Sequence, residues 1–374
     1  MRILLLSAYD ADSHRYWRQQ IVSQFPDYDW TQLVLPGRYF NWRIRGNSLQ
    51  WALTEKFTLE QDYDLIIATS MVDLSALKGM VPNLAAIPSL VYFHENQFAY
   101  PVSQQQTNTA KKANIEPMMV NLYTAVCATQ LAFNSAYNRD SFIAGVEDLM
   151  KRLPEKLPAS LLDDLRDKSQ VLPIPIALHS SPCKRVNITQ QTINLVWNHR
   201  WEYDKGPDLL LACLRELSEQ KIDFKLHLLG QQFRKQPEAL QSIQAEFAVQ
   251  LGQVGFVESK QEYEALLQTC DYVISTAYHE FQGLAVGEAV QCGCLPLLPK
   301  RLSYPGLIGA EHCFDEFGAL AQQAKAFVAQ IKTWQLLSIE QRQTIWQTLP
   351  VQSYNWQSLG PAYQACIEAT AGLW

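Results

Sequence analysis

Short runs of uniformly apolar residues recur down this chain, each closed by a small or polar turn and separated from the next by a helical pattern. Such runs read as strands buried on both faces, which requires a parallel sheet wound with helices. In the first half the runs cover residues 3–7, 65–69, 90–93, 131–133 and 170–173. In the second they cover 193–197, 224–229, a stretch around 254–257, 272–275 and 295–298. Between the two sets lies ALHSSPCKRVNITQQ, residues 177–191, a polar stretch without apolar periodicity.

The expected fold class is therefore α/β, with two Rossmann-like lobes and an interlobe cleft, and 374 residues suit two domains. The boundaries fall as an N-terminal lobe at 1–176, a linker at 177–191, a second lobe at 192–345 and a helical segment at 346–374. Asp and Glu outnumber Lys and Arg by 37 to 31, so the overall field cannot grip nucleic acid, although a local basic patch can. The eight cysteines form no CxxC pair, which argues against zinc or redox chemistry. No apolar run reaches the ~18 residues of a membrane helix, and a cytoplasmic protein with no membrane partner is expected.

In doubly wound sheets ligands sit beyond the carboxyl ends of the strands. Residues 275–299 (STAYHEFQGLAVGEAVQCGCLPLLP) end a strand, turn at Gly283 and open a helix near Leu284. The amides of Gly283 and Leu284 would hold a diphosphate with the help of the helix dipole. Glu280 and Glu288 bracket the turn as Glu-x7-Glu. One carboxylate can accept two ribose hydroxyls while the other meets the group beyond the phosphates. In isolation the two would read as cap and surface charges; the strand-turn-helix context favours the ligand.

A second junction, LVWNHRWEYDKGPDLLL (residues 195–211), carries Arg200 and Lys205 before a helix opened by Gly206-Pro207. Both cations can reach one diphosphate, and since no Asp-rich metal site is evident the chemistry is expected to need neither metal nor cofactor. The turn with Phe256 and Val257 would offer backbone to a base.

In the first half, LVYFHENQFAYP (residues 90–101) sets His94, Glu95 and Asn96 at a strand end, and Asn134 and Ser135 follow the next strand. The first turn, AYDADSH, holds Asp12, Ser13 and His14 but lacks the GxGxxG of a dehydrogenase. RYFNWRIRGNSLQW (residues 38–51) interleaves Arg38, Arg43 and Arg45 with Tyr39, Phe40, Trp42 and Trp51. Aromatics that stack on bases beside arginines that meet phosphates suit single-stranded RNA; a hairpin or amphipathic element burying its aromatics has the same composition. Lys111, Lys112, Lys151 and Arg152 extend that patch or are simply solvated.

The Arg-x4-Lys and Glu-x7-Glu elements resemble those of retaining, family-four-like glycosyltransferases of the GT-B fold. A closer resemblance is to the tRNA-queuosine alpha-mannosyltransferases, through YFHENQ (residues 92–97), FNS (133–135), WRIR (42–45), HRWEYDK (199–205) and STAYHEFQG to EAVQCGCLPLLPK (275–300). Where that family tends to carry Gly-Gly-Ser-His, this chain has Ala11-Asp12-Ser13-His14. The resemblance implies GDP-mannose as donor and the cyclopentenediol of queuosine in the tRNA-Asp anticodon loop as acceptor. It implies that Arg200 and Lys205 bind the diphosphate, Glu288 the ribose, and Glu280 with Gly283 and Leu284 the mannosyl group and phosphates. His94 would lie over the reacting sugar, with Ser13, His14, Arg38, Trp42, Arg43, Arg45, Asn96 and Asn134 on the acceptor side. The residues alone leave open a transferase for lipids, glycans or small molecules, or a catalytically silent nucleotide- or RNA-binding protein.

Overall fold

The computed structural model describes residues 1–100, 115–178, 192–233 and 236–373; Lys111, Lys112 and most of 177–191 lie outside the described residues. The chain divides into two compact units, Met1–Pro175 with Trp356–Trp374, and Ile176–Asn355.

The first unit is built on six strands: β1 (Arg2–Asp10), β2 (Asp29–Pro36), β3 (Leu65–Thr69), β4 (Ser89–Phe93), β5 (Gln130–Phe133) and β6 (Ser169–Val171). All pair in parallel, in the order β2-β1-β3-β4-β5-β6. Every residue of β3 and β4 is buried, as their unbroken apolar runs require. The sequence pattern does not announce β2. It lies at the sheet edge, and only Leu33 and Leu35 among its residues are buried, so it carries no continuous apolar run.

The second unit holds β7 (Ile193–Asn198), β8 (Phe224–Leu229), β9 (Leu251–Gly255), β10 (Tyr272–Ile274) and β11 (Leu295–Leu297). These are again parallel, in the order β11-β10-β7-β8-β9. The chain leaves β7 toward β8 and β9, then returns to the other side as β10, so the direction of winding reverses between β7 and β10. That gap is the switch point at which doubly wound sheets bind ligands.

The helical segment expected over 346–374 divides between the two units. The helix Ile339–Thr348 stays with the second unit, where the Trp346 indole donates to Val290 O at 2.6 Å. The helix Trp356–Thr370 belongs to the first unit, tied by Trp356 Nε1 to Gln20 Oε1 at 3.1 Å and by the Tyr28 hydroxyl to Glu368 at 3.1 Å. Different aromatic anchors send the two helices to different cores. Among the described residues no helix is long and apolar enough to cross a membrane.

Candidate functional site

At the switch point of the second unit, the turn after β7 and the turn after β10 are locked together. Gly206 takes φ 64°, and a Cβ there would lie 2.0 Å from Thr276 O, so only glycine allows this approach. Thr276 Oγ1 donates to Lys205 O at 3.0 Å, and the amides of Tyr278 and His279 both donate to Asp204 O.

These contacts bring the two predicted motifs together. Lys205, buried, donates to His279 O at 2.9 Å and to Glu280 Oε2 at 3.3 Å, and lies 3.5 Å from Asp204. Glu280 Oε1 accepts from the amides of Phe281 and Gly283, each at 3.1 Å. Burial by itself would raise the Glu280 pKa, but the Lys205 ammonium, with the His199 and His279 rings, outweighs it and holds the carboxyl at about 2. Glu280 is thus an oriented carboxylate fixed at a helix start.

The expectation that the Gly283 amide meets phosphate is corrected, because Glu280 already accepts it. Helix geometry leaves the next amides, at the partly exposed Leu284 and Ala285, at the open end of helix Leu284–Gln291. Arg200 stands half-exposed with Nη2 3.1 Å from Glu202. Phe256 is exposed and Val257 partly so, just past the end of β9.

Glu288 is paired with Lys260, and the Tyr263 hydroxyl also bonds to it. Asn198 ties this corner together, donating to Tyr263 Oη at 2.8 Å and to Ala285 O at 2.7 Å. Sequence reasoning missed Lys260 and Tyr263, which sit in an ordinary amphipathic helix (Lys260–Leu267) with no local signal. It also missed Arg301, whose guanidinium donates to Thr276 O at 2.8 Å and Ala277 O at 2.9 Å while covering the Tyr278 ring at 4.8 Å. Arg301 thereby clamps the turn that carries Glu280.

In the first unit, His94 follows β4 and is buried, and its ring stacks on His14 with centroids 4.0 Å apart and planes at 19°. His14 and Ser13 lie in the first turn of the helix Asp12–Gln24 rather than in a loop. Burial lowers the His14 pKa to about 4 against the raising effect of Asp10, and burial with the His14 charge pushes His94 well down, so both rings are neutral at pH 7.

Asn96 and Asn134, expected on an acceptor wall, are both committed to hydrogen bonds within the protein. Asn96 Nδ2 donates to Asn138 O, Asn138 Oδ1 and Ser141 Oγ at 2.9–3.1 Å, and its Oδ1 accepts the amides of Phe98 and Ala99. Asn134 donates to His94 O at 2.7 Å and accepts from Asn138 at 2.8 Å. Their polar atoms are spent in shaping the turn after His94.

The segment from Arg38 forms the helix Phe40–Thr54, with Ile44, Asn47, Ser48 and Trp51 inward and Trp42, Arg45, Leu49 and Leu53 outward. Arg43 is corrected as a phosphate ligand: it is buried and donates to Gln50 Oε1 at 3.0 Å. Arg45 pairs with Asp73 at 2.9 Å yet keeps half of its side chain exposed. Trp42 is 57% exposed and lies over Gly46, whose Cβ position is 2.5 Å from the indole. Arg38 is exposed over the Tyr39 ring. Lys151 is engaged with Glu147 and Asp148, and Arg152 with Asp148 O. Among the described residues no three His, Cys, Asp or Glu side chains are grouped so as to hold a metal ion.

Comparison with known proteins agrees with this division. Residues 2–176 match the family described as tRNA-queuosine alpha-mannosyltransferase N-terminal, and residues 184–347 match glycosyl transferases group 1. A tRNA-queuosine alpha-mannosyltransferase of Drosophila melanogaster is 29% identical over 369 residues, covering 96% of this chain and 95% of its own. Among solved structures, sucrose-phosphate synthase from Thermosynechococcus elongatus superposes with a TM-score of 0.68 at 14% identity, over 99% of this chain and 100% of that one. Anabaena HepE in complex with UDP gives the same TM-score, identity and coverage. These likenesses show the fold, the paired Rossmann-like domains of GT-B glycosyltransferases.

Proposed function

This chain belongs to the tRNA-queuosine alpha-mannosyltransferase family of glycosyltransferases, and from that premise we propose that it moves mannose from GDP-mannose, with retention, to the cyclopentenediol of queuosine in the anticodon loop of tRNA-Asp. The observation that carries the donor side is the junction of Lys205 with Glu280 at the β7/β10 switch point.

The residues divide the work by their chemistry. A nucleoside diphosphate leaving group gains negative charge as the glycosidic bond breaks, and preformed donors that meet that charge lower the barrier most. Arg200 supplies a fork for the diphosphate, Leu284 and Ala285 supply amides, and Lys205 supplies a point charge for which phosphate competes with Glu280 Oε2. Glu280 then accepts from sugar hydroxyls. Glu288 takes the ribose diol, with Lys260 and Tyr263 holding it in place, and the Phe256–Val257 turn meets the base.

His94, neutral at pH 7, meets the reacting sugar. Departing diphosphate deprotonates the incoming hydroxyl on the same face, so that the configuration is kept without a protein nucleophile. Transfer requires neither divalent metal nor cofactor, and EDTA leaves turnover intact. The exposed face with Arg38, Trp42 and Arg45 receives RNA.

The deciding experiment is mass spectrometry of anticodon-loop nucleosides after incubating queuosine-containing tRNA with a panel of nucleotide sugars. A hexose added to queuosine from GDP-mannose alone is the expected result. Transfer from a different donor, or only to lipid or glycan acceptors, overturns the assignment.

A further inference from the structure

The His94 ring is held in an unusual way. Neither of its buried nitrogens has a hydrogen-bond partner among the described residues, so no polar contact sets its orientation. The sp³–sp² torsion of a histidine is broad, and packing alone must fix it. Three rings do so: His14 on one face at 4.0 Å, Tyr92 at 4.8 Å and 61°, and Trp17 edge-on at 5.0 Å and 85°.

Trp17 and Tyr92 stack on each other at 4.3 Å, and both are anchored by one hydroxyl. Tyr363, from the helix Trp356–Thr370, accepts from Trp17 Nε1 at 3.1 Å. Its own hydrogen is shared between Tyr92 Oη at 3.2 Å and Pro173 O at 3.1 Å, and Tyr92 donates onward to Leu172 O at 2.7 Å. All of these groups are buried within the first unit. A phenylalanine would fill the same volume; the hydroxyl matters because it closes a polar circuit behind two of the three walls around His94.

We propose that Tyr363 is a positioning residue for the reaction, holding the His94 imidazole at its working angle through Trp17 and Tyr92. This rests on the reading that His94 meets the reacting sugar. It gives the returning C-terminal helix a part in turnover although Tyr363 does not itself contact substrate.

The test uses the full chain with 15N-labelled histidine, the His94 ring signals being assigned by their loss in His94→Gln. Tyr363→Phe is expected to shift the His94 ring resonances and to lower kcat by roughly tenfold or more, as small misplacements of reacting groups do, while KM for GDP-mannose and for tRNA stays near wild type. Tyr92→Phe, which removes the partner hydroxyl, should act in the same direction. The double variant should be no worse than the poorer single one, because both act through one path.

If Tyr363→Phe does not fold, Tyr92→Phe carries the test alone. Unchanged His94 resonances with wild-type kcat overturn the proposal, provided that His94→Gln is inactive. Wild-type kcat in His94→Gln instead overturns the reading of His94 itself, so the two failures are told apart.

Discussion

Lys205 Nζ lies 3.3 Å from Glu280 Oε2 and 3.5 Å from Asp204 Oδ2, one cation between two carboxylates. Its side chain is only 9% exposed, so Lys205 supports the fold as well as any ligand. Lys205→Ala would leave two carboxylates facing each other without their cation, at a cost of up to roughly 3 kcal/mol. Arg200 is half-exposed, and Arg200→Ala should change stability by less than about 0.5 kcal/mol. Both variants should lose most turnover, but only Lys205→Ala should show a clearly lower Tm. Equal Tm values for the two would contradict the reading of Lys205 as a structural cation.

The same pair fixes a pH dependence. Glu280 is held at about 2 in the folded chain, below its unfolded value near 4.5. Its contribution is therefore fully present above about pH 4.5 and is lost as pH falls through 2. His14, held near 4 by burial, adds a loss of stability that sets in as pH falls below 6.5 and runs on to about 4. A 13C carboxyl titration should place the Glu280 midpoint near 2 in the wild type. In Lys205→Met the main opposing charge is gone, so the midpoint should rise clearly toward the ordinary carboxylate range. A midpoint that stays near 2 in that variant would show that Lys205 is not what holds it down.

Most of the fold was legible because parallel strands buried on both faces advertise themselves as apolar runs. The runs at 65–69 and 224–229 coincide with β3 and β8 to the residue, whereas the edge strand β2 escaped because only one of its faces is covered. The turns that carry the candidate site were legible where geometry follows from local chain, as at Gly206-Pro207 and Gly283-Leu284, both of which open helices. It was not legible where a side chain's partner is distant. Nothing in HENQ or FNS tells whether an asparagine faces ligand or backbone. Nothing local marks Lys260, Arg301 or Tyr363, which join partners as far as 346 positions away.

Asn96 offers a direct check on that distinction. It is fully buried, with its amide shared among three acceptors and its carbonyl taken by two backbone donors. Asn96→Ala strands those donors and acceptors without partners, a cost on the order of 1–3 kcal/mol and more if several stay dry. Chemical denaturation should therefore show a lower midpoint. Affinity for tRNA, measured on the folded fraction, should change little. An unaltered midpoint with weakened tRNA binding would return Asn96 to the acceptor side.

At a formal charge of -6 the protein cannot hold tRNA by its overall field, so binding must come from local groups. On the helix Phe40–Thr54 the outward residues include Trp42 and Arg45, and Arg38 stands just before it, while Arg43 points inward to Gln50. Replacing Arg38 and Arg45 together should weaken tRNA binding and flatten its salt dependence, by about one unit of slope for each phosphate no longer neutralised. Arg43→Ala should instead lower the Tm and leave that slope intact. Because Trp42 is 57% exposed, Trp42→Ala should fold normally and lose roughly 1–3 kcal/mol of tRNA affinity if its ring stacks on a base. GDP binding, proposed for the second unit, should be unaffected in all of these variants. A double Arg38/Arg45 variant with the wild-type salt slope would mean that the acceptor docks on another surface.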